Sequence, residues 1–91
     1  MREKLIAGNW KMNGGLALNE ALVTAILAGM PEKACAVAVC PPALYLAQVQ
    51  QLLAGQRAVS LGAQDVSAHE IGAYTGEQSA AMLREFGAGY A

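Results

Sequence analysis

Along the chain, short continuous apolar runs alternate with helically spaced apolar residues, and the alternation occurs three times. Lys4-Leu5-Ile6-Ala7, closed by Gly8, is too brief for a helix and predicts a buried strand. Beyond Gly14 and Gly15, Leu18, Leu22, Ala25, Ile26 and Gly29 recur at helical spacing until Pro31, predicting an amphipathic helix from Leu16 to about Met30. The stretch from Ala34 to Cys40 is apolar at every position, as in a strand covered on both faces. It stops at Pro41. Pro42 then suits the first position of a second helix, with Leu46, Val49, Leu52 and Leu53 as its stripe before Gly55. Residues 57 to 63, around Val59 and Leu61, read as a third strand, followed by a polar, glycine-punctuated loop from Gln64 to Tyr74. Thr75-Gly76-Glu77-Gln78 fits a capping box for a third helix that carries Met82, Leu83 and Phe86 on one face and closes at Gly87. Residues 88 to 91 stand where a fourth strand begins.

Strand then helix, three times over, implies parallel strands joined by right-handed crossovers. The fold class is therefore α/β, either a doubly wound sheet or part of a barrel. No repeat, low-complexity tract or linker divides the chain, so residues 1–91 belong to one domain. Composition adds a warning: the chain is 55% hydrophobic and 14% charged, against roughly 45–50% and about 25% in ordinary soluble domains. That is more apolar surface than so short a chain can cover alone. A net charge of -1 with scattered lysines and arginines lacks the basic footprint of a nucleic-acid binder. The longest apolar stretch, residues 34–47, is interrupted by Pro41 and Pro42 and falls short of the roughly 18 residues of a membrane span. The N-terminus has too few apolar residues for a signal-peptide core, and a cytoplasmic location is expected. Cys35 and Cys40, an odd number of residues apart on one expected strand, face opposite sides and are expected to be reduced, packed thiols. Their C-x4-C spacing is no metal motif, and no metal is expected.

Parallel α/β architectures bind ligands beyond the carboxyl ends of their strands, which directs attention to Asn9 and Lys11. If the extended chain persists to Lys11, period two puts both side chains on one side and Trp10 on the other. A lysine offers a point charge to a phosphate or a developing oxyanion, and an asparagine amide a neutral donor, so the pair favours an anionic ligand. Read more plainly, Lys11 is a solvated loop residue, Asn9 a turn former and Trp10 a core anchor. Gly14 and Gly15 before a helix could admit a phosphate to backbone N–H groups, but neither GxGxxG nor GxxxxGK[ST] is present.

The stretches AGNWKMNGG, then CPP after the second strand, then GAQDVSAHEIGAYTGEQSA after the third, resemble in order and spacing the N-terminal part of the triosephosphate isomerase family. The resemblance covers essentially all 91 residues. It implies a (β/α)8 barrel, of which this chain covers about the first three βα units. It also implies the interconversion of dihydroxyacetone phosphate and D-glyceraldehyde 3-phosphate through an enediolate, in glycolysis and gluconeogenesis, with no cofactor. By the same resemblance, Asn9 and Lys11 bind the substrate, Lys11 also acting catalytically by stabilising its negative charge. The loop containing Gln64, Tyr74, Thr75, Gly76 and Glu77 would form the interface of a homodimer, with Thr75 near the tip and Glu77 holding the loop together. The family's catalytic histidine lies at the end of strand four and its glutamate base later; His69 matches neither and is expected to be a loop residue. The chain alone is therefore expected to be inactive, with open edges on strands one and three and with the apolar faces meant for the rest of the barrel left exposed. Two other readings remain: a non-catalytic half-barrel assembly module, and a doubly wound phosphate-binding domain, which strand order would separate from a barrel wall.

Overall fold

A computed structural model describes residues 3–31 and 35–91. Four parallel strands, β1 (Leu5–Asn9), β2 (Ala36–Cys40), β3 (Val59–Gly62) and β4 (Ala88–Tyr90), lie side by side in chain order. Helices α1 (Leu16–Ala28), α2 (Leu46–Leu53) and α3 (Ala80–Glu85) connect them. A doubly wound sheet reverses its strand order at a switch point; this sheet does not, and sequential order is that of a barrel wall. Short βαβ connections with the helices on one face leave no other economical arrangement.

The core forms where α2 meets the sheet. Leu46, Val49 and Leu53, spaced to share one helix face, pack with Val39, Val59, Leu61, Val23 and Leu83. Gln56 shapes the turn into β3, donating to the Leu53 and Val59 carbonyls and accepting from the Val59 N–H.

Several elements differ from the sequence expectation for identifiable reasons. Helix α1 buries Asn19 and Val23, with Ile26, Leu27 and Met30 packed beside them, whereas Leu18 and Leu22 are 61% and 41% exposed. The helix is apolar on most sides, so periodicity could not choose its inner face; hydrogen bonds to Asn19 do. Pro42 precedes a 3-10 turn (Ala43–Tyr45), and α2 begins only at Leu46. The cap of α3 is Ser79, whose Oγ accepts from the Met82 N–H at 3.2 Å, and Thr75 lies in the loop before it. Gly87, at φ 82°, closes that helix as expected. Strand β2 begins at Ala36, so Cys35 flanks it; Ala34, the expected first residue, lies outside the described residues.

The open edges are β1 and β4, because β4 pairs with β3 and covers the edge expected to be free. Strand β1 is exposed along its whole length, Leu5 and Ile6 included, contrary to its reading as buried. A compact monomer of this size exposes about 5,000 Å2 and has a radius of gyration of about 12 Å. This chain exposes 6718 Å2 and has a radius of 13.6 Å. It is a slab, 44 × 37 × 23 Å.

Candidate functional site

The carboxyl ends of β1, β2 and β3 bring Asn9, Cys40 and Gly62 to one edge of the sheet. Asn9 pairs with Cys40 in register, and the ladder runs one bond further, from the Trp10 N–H to the Cys40 carbonyl at 3.1 Å. Trp10 packs its ring against the core, as expected of an anchor. The chain then leaves the extended conformation. Lys11 has φ 54°, the left-handed region that costs a side-chain-bearing residue about 1–2 kcal/mol. It is the sole non-glycine residue at positive φ among those described. The period-two expectation for Asn9 and Lys11 therefore fails, replaced by a tighter local arrangement.

That arrangement holds Lys11 by both of its peptide groups. Its N–H donates to Asn9 Oδ1 at 2.8 Å, an Asx turn across two residues. Its carbonyl accepts from Gln64 Nε2 at 2.7 Å, and the same nitrogen donates to the Cys40 carbonyl at 2.9 Å. Gln64 thus ties the end of β1 to that of β2 from the residue following β3 and Ala63. Asn13 Nδ2 donates to the Trp10 carbonyl at 2.8 Å and rounds the turn. Strain persists only where its surroundings over-determine it, and it collects at functional sites. Here the residue so held carries an exposed ammonium.

Beyond Gln64, the loop crosses back on itself. The Ser67 N–H donates to the Gln78 carbonyl at 2.8 Å, and its hydroxyl donates to Glu77 Oε1 while accepting from the His69 N–H. The His69 and Tyr74 rings stack, 3.9 Å apart and within 1° of parallel. Tyr74, Thr75, Gly76 and Glu77 all lie exposed on this loop. Gln64 stands at its base and uses its amide within the chain. The sequence reading missed that role, for which only the residue's place just after a strand was a signal. Both cysteines are free thiols; burial raises the Cys40 thiol pKa above its ordinary value. Among the described residues no group of three or more His, Cys, Asp or Glu could hold a metal, and no helix is long and apolar enough to cross a membrane.

A sequential parallel sheet with its polar, strained residues at the carboxyl ends of the strands defines the front portion of a (β/α)8 barrel. The chain belongs to the triosephosphate isomerase family, whose profile matches residues 4–91. Its sequence is 62% identical to the triosephosphate isomerase of Albidiferax ferrireducens over 90 residues, 99% of this chain and 36% of that protein. It is likewise 62% identical to that of Delftia acidovorans over 91 residues, with the same shares covered, and 57% identical to that of Dechloromonas aromatica over 90 residues. The chain spans about 36% of the length of these relatives.

Proposed function

We propose that these residues form the substrate-anion end of a cytoplasmic triosephosphate isomerase, which interconverts dihydroxyacetone phosphate and D-glyceraldehyde 3-phosphate. The observation that carries this is Lys11: an exposed lysine just past the strand end on a strained backbone, pinned through its N–H by Asn9 and through its carbonyl by Gln64. In this role the ammonium attracts the phosphate ester and offsets negative charge as the enediolate forms. A preplaced cation needs no reorganisation at that moment. With Oδ1 of Asn9 engaged by the Lys11 N–H, its Nδ2 is the half of the amide left to donate to substrate oxygen.

Moving the carbon-bound proton needs an acid–base pair that a lysine and an asparagine do not supply. The 91 residues alone are accordingly inactive, and with more surface open than a compact monomer they self-associate. The self-bonded loop bearing Tyr74, Thr75, Gly76 and Glu77 serves as the contact with a second subunit, Gln64 supporting it from its base. The test joins residues 1–91 to the remainder of the Albidiferax ferrireducens relative and measures isomerisation of D-glyceraldehyde 3-phosphate. The joined barrel turns over, and Lys11→Met lowers its kcat/KM by about 10²-fold or more, as expected for loss of a preorganised charge. A Lys11→Met barrel within threefold of its parent refutes the assignment, and turnover by the pure 91-residue chain refutes its inactivity.

A further inference from the structure

The loop that carries Lys11 is held at its near end by Asn9 and Gln64, but its far end, Met12 to Gly15, needs a separate support, since Met12 is 95% exposed and packs on little. That support is a polar pair in an otherwise apolar helix contact. Asn19 on α1 is 1% exposed, and both ends of its amide are used. Its Oδ1 accepts from the Gly15 N–H at 3.1 Å, and its Nδ2 donates to Gln48 Oε1 on α2 at 2.9 Å. Gln48 Nε2 in turn donates to the Leu16 carbonyl at 2.7 Å, closing a ring of hydrogen bonds around the start of α1. Gly15 is the residue that caps α1 and has no side chain with which to do so. Gly14 beside it, at φ 143°, lies so close that a Cβ there would stand 2.9 Å from Asn19 Oδ1 and 2.9 Å from the Tyr45 ring. Asn19, Gln48 and Tyr45 therefore form a seat into which the far end of the loop is pressed.

Resting on the reading of Lys11 as a substrate ligand, we infer that Asn19 and Gln48 are positioning residues for it. A buried amide pair costs desolvation that an apolar pair of the same shape would not. If stability alone were at stake, leucines here would serve as well. What the amides add is direction: two donors and two acceptors fix one placement of Gly15 and Leu16 relative to α2, and α2 sits over the strands that set Lys11. The loop is then fixed at both ends.

Gln48→Met in the joined barrel removes both of its bonds while keeping its shape, and half-buried Gln48 is the safer site to change than Asn19. The expected result is a KM for D-glyceraldehyde 3-phosphate raised about three- to tenfold, the loss of roughly one net hydrogen bond, with kcat within twofold of the parent. The Gly15 amide exchanges its hydrogen several-fold faster. Gln48→Glu keeps the acceptor for Asn19 Nδ2 and restores part of the KM, which recovery of stability alone would not do. A lowered melting temperature with unchanged KM and unchanged Gly15 exchange overturns the inference and makes the pair merely structural. Faster exchange with unchanged KM also overturns it wherever Lys11→Met impairs turnover. If Lys11→Met leaves turnover intact, the failure is that of Lys11 as a ligand, and the positioning role falls with it.

Discussion

Gly62 on β3 has β2 and β4 crowded against its missing side chain, and Gly62→Ala is a sharp test of that packing. A Cβ built there stands 2.7 Å from Cys40 Sγ on β2, and 3.3 Å from Cβ and 3.5 Å from the carbonyl of Tyr90 on β4. Non-bonded carbon contacts settle near 3.5–4.0 Å, so the thiol must move by about 1 Å. The Cys40 carbonyl, bonded to both Trp10 and Gln64, fixes the backbone of β2 there, so the thiol yields only by turning about its Cα–Cβ bond. Over-packing of this kind costs about 1–3 kcal/mol, and with a side-chain atom as the nearest obstacle we expect the lower half of that range. The backbone at Gly62 is not at positive φ, so an alanine there is otherwise acceptable and gains a little from a stiffer unfolded chain. In a Cys40→Ala background the nearest obstacle is gone, and the same substitution becomes close to neutral. Urea unfolding of the parent, both single variants and the double variant, all in the joined barrel, gives the coupling directly. We expect about 1–2 kcal/mol of coupling. A cost for Gly62→Ala that is equal in the two backgrounds, within the ~0.5 kcal/mol by which independent sites add, refutes the contact and the strand spacing derived from it.

At position 11 the left-handed backbone makes glycine the unstrained residue, so Lys11→Gly is more stable to urea than Lys11→Ala by about 1 kcal/mol; an alanine variant as stable as the glycine one would contradict the strain. Ser79→Ala costs about 1 kcal/mol through loss of the α3 cap, whereas Thr75→Ala, monitored by the same unfolding curve at fixed protein concentration, changes the helix by less than about 0.5. The Cys40 pKa is raised above 9.0 by burial, so the folded state holds that proton more tightly than the unfolded. Its contribution to stability is then complete below pH 9.0 and declines as pH rises through the folded-state value. Measured at pH 8 and again above 9, the stability of the parent should fall relative to Cys40→Ala, and curves that remain parallel would contradict the burial.

The parts of the fold legible in the sequence are those where one local signal had no competitor. The continuous apolar run of β2 and the stripe of Leu46, Val49 and Leu53 each allow one reading, and the structure agrees. Helix α1 was not legible in the same way. With leucines on several faces, its spacing fits more than one orientation, and the choice is made by Gln48, a residue 29 positions away from Asn19 in the chain. The capping-box pattern placed the cap of α3 at Thr75, one turn too early, although Ser79, the actual cap, also precedes helix-compatible residues. The loop's own bonds, Ser67 to Gln78 and Ser67 to Glu77, keep the chain out of the helix until Ser79. At the candidate site, Asn9 and Lys11 were visible by type and by place, but the turn that holds them was not. Nothing short of the β1–β2 register puts the Cys40 and Lys11 carbonyls within reach of one Gln64 nitrogen.

The energetics of that turn explain why so many elements converge on it. Holding Lys11 at positive φ costs about 1–2 kcal/mol, while each net hydrogen bond returns about 0.5–1.5. The bonds from Asn9 and Gln64 therefore only roughly balance the strain, and neither alone is sufficient. Asn9 is placed by the β1–β2 ladder, Gln64 by β3, and the far end of the loop by α1 and α2 through Asn19 and Gln48. A cation held this way depends on every packed layer beneath it. Losing any one support tips that balance against the left-handed backbone of Lys11 and holds the cation less firmly at the strand end. Such a residue is sensitive to changes that never touch it.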